Sequence, residues 1–393
     1  MSGRQSRTGL RQASRRSEVE SFIVMDVMRA AAAREALGQR VIHMEVGQPA
    51  TPAPAQAREA VRRALERDPL GYTLALGTGA LRSRIARHYR EWYGVELSPE
   101  RVVVTTGSSG AFLLAFLALF DAGARVALPS PGYPCYRHIL TALDCTPVMM
   151  ETGPETRWMP DAAAVRVLAA AGRLDGLLVA SPNNPTGTML TPGALAGICE
   201  ACAEAGMWLN SDEIYHGLTY GTPATTALEV SDDAIVINSF SKYFSMTGWR
   251  IGWMVVPERL VRTVERLQQN LFISPPAVAQ AAALGAFEAF DELEANRRIY
   301  EQNRAVLLAG LPAAGFTDIA PADGAFYFYC DVGRMTDDSI AFARRLLDET
   351  GIAATPGVDF DALRGRRFLR LSYSGATVDM EEAVRRLKSW AKA

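Results

Sequence analysis

The sequence predicts an α/β protein, with a large domain built on a mostly parallel, seven-stranded sheet flanked by helices and a smaller α+β domain beside it. Three observations carry this. Short runs rich in Val, Ile and Leu alternate with helical stretches from about residue 101 to 256. Those runs are mostly apolar throughout rather than alternately polar and apolar, as strands buried on both faces are. From about Pro275 the regular alternation gives way to long Ala- and Glu-rich helical stretches and isolated strands, the pattern of a second, mixed unit.

The elements follow in order. Arg101–Thr105 reads as the first strand and leads into an apolar helix from Gly110, whose run Ala111–Phe120 is too short to span a bilayer. Arg125–Leu128, Thr146–Glu151, Gly176–Ala180, Met207–Asn210 and Ala234–Asn238 are the next strands. Pro192–Ala205 is a helix that Thr191 caps and Pro192 opens. Ile251–Val256 follows Ala234–Asn238 too soon for a helical crossover, so it is expected to run antiparallel in the same sheet. Helical stretches from Ala277 to Leu308, the strand Phe326–Asp331, a helix over Ser339–Thr350, the strand Phe368–Tyr373 and a helix over Thr377–Trp390 complete the chain. Pro312, Gly315 and Pro321 punctuate the join.

Composition narrows the function classes. With 393 residues, 49% hydrophobic and 21% charged, the chain can bury large cores. A formal net charge of -2 gives no bulk pull toward nucleic acid or membranes. The five cysteines are odd in number, and the one close pair, Cys199 and Cys202, lies in an Ala-rich helical stretch with no second pair nearby, so a reducing cytoplasm is expected. Arg4, Arg7, Arg11, Arg15 and Arg16, with no acid before Glu18, have the composition of an organelle transit peptide but no apolar face, so the segment reads as a solvated arm.

The chemistry concentrates on loops after the strands, where open α/β sheets bind ligands. In Ser239-Phe240-Ser241-Lys242-Tyr243-Phe244-Ser245-Met246-Thr247-Gly248-Trp249-Arg250, a lysine stands beside serines and upstream of an arginine. That is what a pyridoxal phosphate (PLP) site needs: an amine for a Schiff base with the aldehyde, and hydroxyls and a guanidinium for the phosphate. A free lysine, with a pKa of roughly 10.4, is a poor nucleophile at neutral pH until a buried, cation-rich pocket lowers that value. Thr105-Thr106-Gly107-Ser108-Ser109-Gly110 offers backbone N–H groups to an anion at a helix start. Ser181-Pro182-Asn183-Asn184-Pro185-Thr186-Gly187 is a rigid turn that can aim an amide. Asp212 in Asp212-Glu213-Ile214-Tyr215 can pair with a pyridinium nitrogen or cap a helix. Arg370, inside the apolar strand Phe368-Leu369-Arg370-Leu371-Ser372-Tyr373, must meet a carboxylate, whether of a substrate or of the protein itself.

Together Asn184, Asp212, Tyr215, Lys242, Arg250 and Arg370 resemble the class I/II aminotransferases of PLP fold type I, over about residues 20 to 390. The resemblance implies that Lys242 holds the cofactor as an internal aldimine and shuttles the proton between the substrate α carbon and cofactor C4′. It implies Asp212 on the pyridine nitrogen, Tyr215 and Asn184 on the 3′ oxygen, and Ser108, Ser109, Ser239 and Arg250 on the phosphate. Tyr133 would stack on the ring, Tyr72 would reach the partner subunit's phosphate, and Gly47 and Arg370, with Asn184, would meet the substrate carboxylate. The implied division is an N-terminal arm and small-domain segment over 1–45, a PLP-binding domain over 46–280 and a small C-terminal domain over 281–393. A homodimer with shared active sites is implied, with amino acid and 2-oxo acid substrates and neither nucleic acid nor membrane as partner. Gly47-Gln48-Pro49 departs from the family's Gly-Glu-Pro. Met149, Met150, Trp158 and the run Phe326–Tyr329 fit either an apolar substrate pocket or core packing, and the reading leans to a neutral or aromatic donor with 2-oxoglutarate as acceptor, with aspartate left open as a donor. A C–S β-lyase on the same fold and a PLP-binding transcription regulator remain as alternatives.

Overall fold

The computed structural model describes residues 13–392. Helices α1 (Ile23–Glu35), α2 (Ala55–Arg67) and α3 (Gly79–Tyr93), with the short strand β1 (Ile42–His43), precede the main alternation. That alternation is β2 (Val102–Thr105), α4 (Gly107–Leu119), β3 (Arg125–Ser130), α5 (Cys135–Ala142), β4 (Thr146–Glu151), α6 (Ala162–Ala171), β5 (Gly176–Ala180), α7 (Pro192–Glu204), β6 (Trp208–Asp212), β7 (Ile235–Ser239) and β8 (Gly252–Val255). Then follow α8 (Glu258–Leu271), α9 (Ala277–Ala286), α10 (Phe290–Gly310), β9 (Asp318–Ile319), β10 (Tyr327–Asp331), α11 (Ser339–Thr350), β11 (Ile352–Ala353), β12 (Thr355–Pro356), β13 (Phe368–Ser372) and α12 (Thr377–Trp390).

The seven-stranded sheet has the order β2-β8-β7-β6-β5-β3-β4. β8 is antiparallel to both its neighbours and the other strands share one direction. Both faces are buried, which explains the continuous apolar runs: Val102, Val104, Leu177, Val179 and Val236 join one core, while Val103, Leu178, Ile235 and Ile237 join the other, against α4 and α8. A four-stranded antiparallel sheet, β12-β13-β10-β9, and a parallel pair, β1-β11, form the second layer system. Through that pair, N-terminal chain joins C-terminal chain, with Ile42 opposite Ile352.

The shared strand direction brings the chain segments after β2, β3, β5, β6 and β7 to one edge of the sheet. Thr191 caps α7 through Ala194 N–H, and Pro192 opens it, as the sequence indicates. The helix after β2 begins at Gly107 rather than Gly110. Gly107 adopts φ +72°, open to glycine without strain, and this turns the chain straight from strand into helix. Ser108 and Ser109 therefore sit in a helical first turn instead of a loop. Arg4, Arg7 and Arg11 lie outside the described residues; Arg15 and Arg16 belong to a short 3-10 turn, Arg15–Ser17. No described helix is long and apolar enough to cross a membrane.

Candidate active site

At that edge lies a cavity of about 610 Å³, and most of the predicted site residues border it: Gly47, Ser108, Ser109, Tyr133, Asn184, Asp212, Tyr215, Lys242, Arg250 and Arg370. A depression of similar size, about 650 Å³, lies beside α3, but no lysine, cysteine or histidine lines it, and its Arg84 and Arg87 pair with Glu91 and Glu288.

Lys242 enters from the loop after β7. Its Nζ donates to the Gly47 carbonyl at 2.6 Å. The side chain borders the cavity and so keeps some accessible surface, yet protein surrounds it. Burial, aided by Arg370 and Arg250 and opposed by Asp212, lowers its pKa to about 8. Burial raises Asp212, at the end of β6, to about 6. One Asp212 oxygen accepts from Ile214 N–H at 3.1 Å, an Asx turn and not a helix cap. The other accepts from the Tyr136 hydroxyl, and this bond opposes the burial effect.

Arg370 points from β13 into the same cavity. Nη1 donates to Asn184 Oδ1 at 3.0 Å, and Nη2 donates to the Glu45 carbonyl and to Thr355 Oγ1. The guanidinium carbon lies 4.5 Å from the Tyr327 ring centre and 4.7 Å from that of Phe360. Nε, buried, has no partner. Arg370 forms no ion pair with a carboxylate among the described residues, so the internal salt bridge that sequence left open is not made. A buried cation without an anion is costly, and a carboxylate entering the cavity would remove that cost.

Arg250 and α4 form the other end. A Cβ at Gly107 would come within 2.6 Å of Arg250 Nη2, so glycine lets the guanidinium lie against the start of the helix. Thr106 makes no side-chain cap there, which leaves the first N–H groups to an incoming anion. Tyr133 packs edge-on against Phe22 and Tyr136, and the Tyr215 and Tyr327 hydroxyls are 2.7 Å apart.

Two predicted residues stand outside the cavity. Ser239 is buried: its hydroxyl donates to the Ile251 carbonyl at 3.1 Å and its oxygen accepts from Ser241 N–H at 3.1 Å. Ser241, two residues on, lines the cavity in its place, because Ser239 still belongs to the strand and faces its neighbour β8. Tyr72 is 88% exposed in the segment after α2 and does not line the cavity. The two uses left open for the apolar candidates, pocket or core, are resolved residue by residue. Trp158 packs with Tyr329, Phe360 and Phe368, Met149 is exposed and Met150 lies in the core; of these candidates only Tyr327 lines the cavity, joined by Phe22, Val24, Met25 and Val46. Tyr136 escaped the sequence reading, and so did the contact of Tyr327 with Tyr215. Tyr136 lies in the first turn of α5, while Tyr133 precedes the helix, and no local pattern marks it.

The deciding comparison is at family level: a family model described as aminotransferase class I and II matches residues 39–387. The chain belongs to that family. The aminotransferase is 49% identical over 379 residues to a valine–pyruvate aminotransferase of Mycobacterium tuberculosis, covering 95% of this chain and 97% of the relative. Among solved structures, an aminotransferase from Mycobacterium tuberculosis superposes with a TM-score of 0.94 at 48% identity, covering 97% of this chain and 99% of the other. The aspartate aminotransferase of Thermus thermophilus with maleate gives 0.91 at 31% identity, covering 97% and 100%. The enzyme is therefore a PLP-dependent transaminase.

The cavity fits PLP by its donor set. It offers an amine of lowered pKa, a buried carboxylate short of a cation, an anion cradle at Gly107 and Arg250, and a buried guanidinium short of an anion.

Proposed function

We propose that this transaminase moves the amino group of a neutral, aliphatic L-amino acid to a small 2-oxo acid such as pyruvate, with Lys242 as the cofactor lysine. The observation that carries this is the arrangement around Lys242: its amine, with the pKa lowered to about 8, shares one cavity with Arg370, a buried cation that has no carboxylate partner among the described residues. PLP, when bound, supplies an electron-withdrawing ring that stabilises negative charge at the substrate α carbon. Asp212 would face the ring nitrogen and hold its proton. Tyr215 and Asn184 would donate toward the 3′ oxygen. Ser108, Ser109, Ser241 and Arg250 would hold the phosphate, with Ser239 fixing Ser241, and Tyr133 would cover the ring. Arg370 would grip the α-carboxylate beside Asn184 and Gly47, and orient the Cα–H bond toward Lys242 Nζ. With a pKa of about 8, that amine takes up and returns the proton near neutral pH.

The cations lining the cavity are Lys242, Arg250 and Arg370. Once the phosphate and the α-carboxylate are matched, the described residues lining the cavity offer none for a distal carboxylate, while Phe22, Val24, Met25 and Val46 offer apolar contact. The name of the Mycobacterium relative points the same way. We further propose a two-domain division near residues 46 and 281, a cytoplasmic enzyme, and a homodimer in which the exposed Tyr72 reaches the partner's phosphate site.

The test is an absorbance titration of the PLP-loaded enzyme with single amino acids. L-Valine is expected to convert the cofactor to its amine form and pyruvate to restore it. Conversion by L-aspartate but not by L-valine would refute the substrate class. Release of ammonia and pyruvate without an acceptor would instead indicate lyase chemistry.

A further inference from the structure

The turn that carries Asn184 rests on an imidazole that the reaction itself does not use. His216 is 4% exposed. Its Nε2 lies 3.0 Å from the Ser181 carbonyl oxygen. A carbonyl only accepts, so Nε2 carries the proton and Nδ1 is the acceptor. Nδ1 lies 2.8 Å from the Tyr93 hydroxyl, which is therefore the donor. Glu213 Oε2 is 3.6 Å from Nδ1, but burial pushes Glu213 up to about 8 and His216 down to about 4. Both groups are then mostly uncharged at neutral pH, and the contact is no ion pair.

The bond to Ser181 joins two segments. Ser181 N–H donates to the Asp212 carbonyl at 3.2 Å, and the Ser181 hydroxyl accepts from Leu190 N–H at 3.0 Å. One segment carries Asp212 and Tyr215; the other carries Asn184, whose Oδ1 accepts from Arg370. We propose that His216 is a positioning residue: the relay Tyr93–His216–Ser181 sets the turn 181–187 against the end of β6, and so fixes Asn184 relative to both Asp212 and Arg370. This rests on the roles proposed above for those three residues. A neutral imidazole suits the task because it donates on one side and accepts on the other from a rigid ring. Leucine would fill similar space but leave the Ser181 carbonyl and the Tyr93 hydroxyl unpaired, and the turn would rotate to satisfy them.

The experiment compares His216→Leu, His216→Gln and His216→Asn in the PLP-loaded enzyme by KM and kcat for the amino donor, Kd for PLP, and Tm. Glutamine places an amide N–H near the Nε2 position, whereas asparagine falls short of it. His216→Leu is expected to raise the donor KM and the PLP Kd by tenfold or more, and His216→Gln to recover most of both. A Leu variant with lowered Tm but unchanged KM and Kd would reduce His216 to core packing and overturn the inference. If His216→Leu does not fold, the Gln and Asn pair decides: equal KM and Kd in these two, at equal Tm, would overturn it. A parent enzyme that does not bind PLP through Lys242 would overturn the site reading itself, a failure distinct from normal parent behaviour with indifferent variants.

Discussion

Replacing Asp212 with Asn is expected to stabilise the cofactor-free enzyme while disabling the loaded one. Asp212 is 3% exposed, and burial raises its pKa from 3.8 to about 6. The folded state therefore prefers the protonated acid. The cost of ionising it is absent below about pH 4, grows between about 4 and 6, and is full above 6. At 1.36 kcal/mol per pKa unit the full cost is about 3 kcal/mol. Asparagine removes it with little loss of bonding: Oδ1 can still accept from Ile214 N–H, and Nδ2 can donate to the Tyr136 hydroxyl, which reverses its role. Denaturant unfolding of the apoenzyme is the assay. The variant should exceed the parent by about 1–3 kcal/mol at pH 8, with the gap closing as the pH falls through 6 toward 4. With PLP the order should reverse in function, because a neutral amide cannot hold the ring nitrogen's proton, and kcat should fall by roughly 100-fold or more. An apo variant less stable than the parent at pH 8, or a gap indifferent to pH, would refute the claim that Asp212 is a strained anion awaiting a cation.

Lys242→Ala should abolish turnover and the visible absorbance of the covalently held cofactor while leaving the far-UV circular dichroism unchanged; turnover at the parent rate would sink the assignment. Arg370→Ala should raise the KM of α-carboxylate substrates roughly 100-fold, as the loss of charge-assisted, bidentate binding does, measured by steady-state kinetics. Tyr136→Phe removes a bond that lowers the Asp212 pKa, so the acidic limb of the kcat/KM profile should move to higher pH. Gly47→Ala would place a Cβ 1.6 Å from the Tyr327 hydroxyl; the forced shift should break the Tyr215–Tyr327 contact and lower PLP affinity, measured by equilibrium titration.

How far the sequence could be read depends on the range of the forces involved. The sheet was legible because each strand's apolar run is local, and β8's antiparallel course followed from the short connection after β7. β6 was read short, ending at Asn210 rather than Asp212, because Asn, Ser and Asp disfavour strands; here the ladder to β7, with Asp212 opposite Ile237, overrides that preference. The site was legible as a set of motifs on loops, but motif spacing names a neighbourhood without saying which side chain faces inward. Where the strand ends settles that: Ser239 closes β7 and bonds to the Ile251 carbonyl, while Ser241, in the turn beyond, faces the cavity. The contacts missed share a different property. Tyr136 meets Asp212 across 76 residues, Tyr327 meets Tyr215 across 112, and His216 meets Tyr93 across 123. Each is an ordinary core aromatic or histidine until packing supplies its partner, so no local pattern could announce it. The groups that touch the cofactor must be of particular chemical types and therefore leave a recognisable signature. The groups that hold them need only a hydrogen bond of the right reach, which many side chains and many positions can supply.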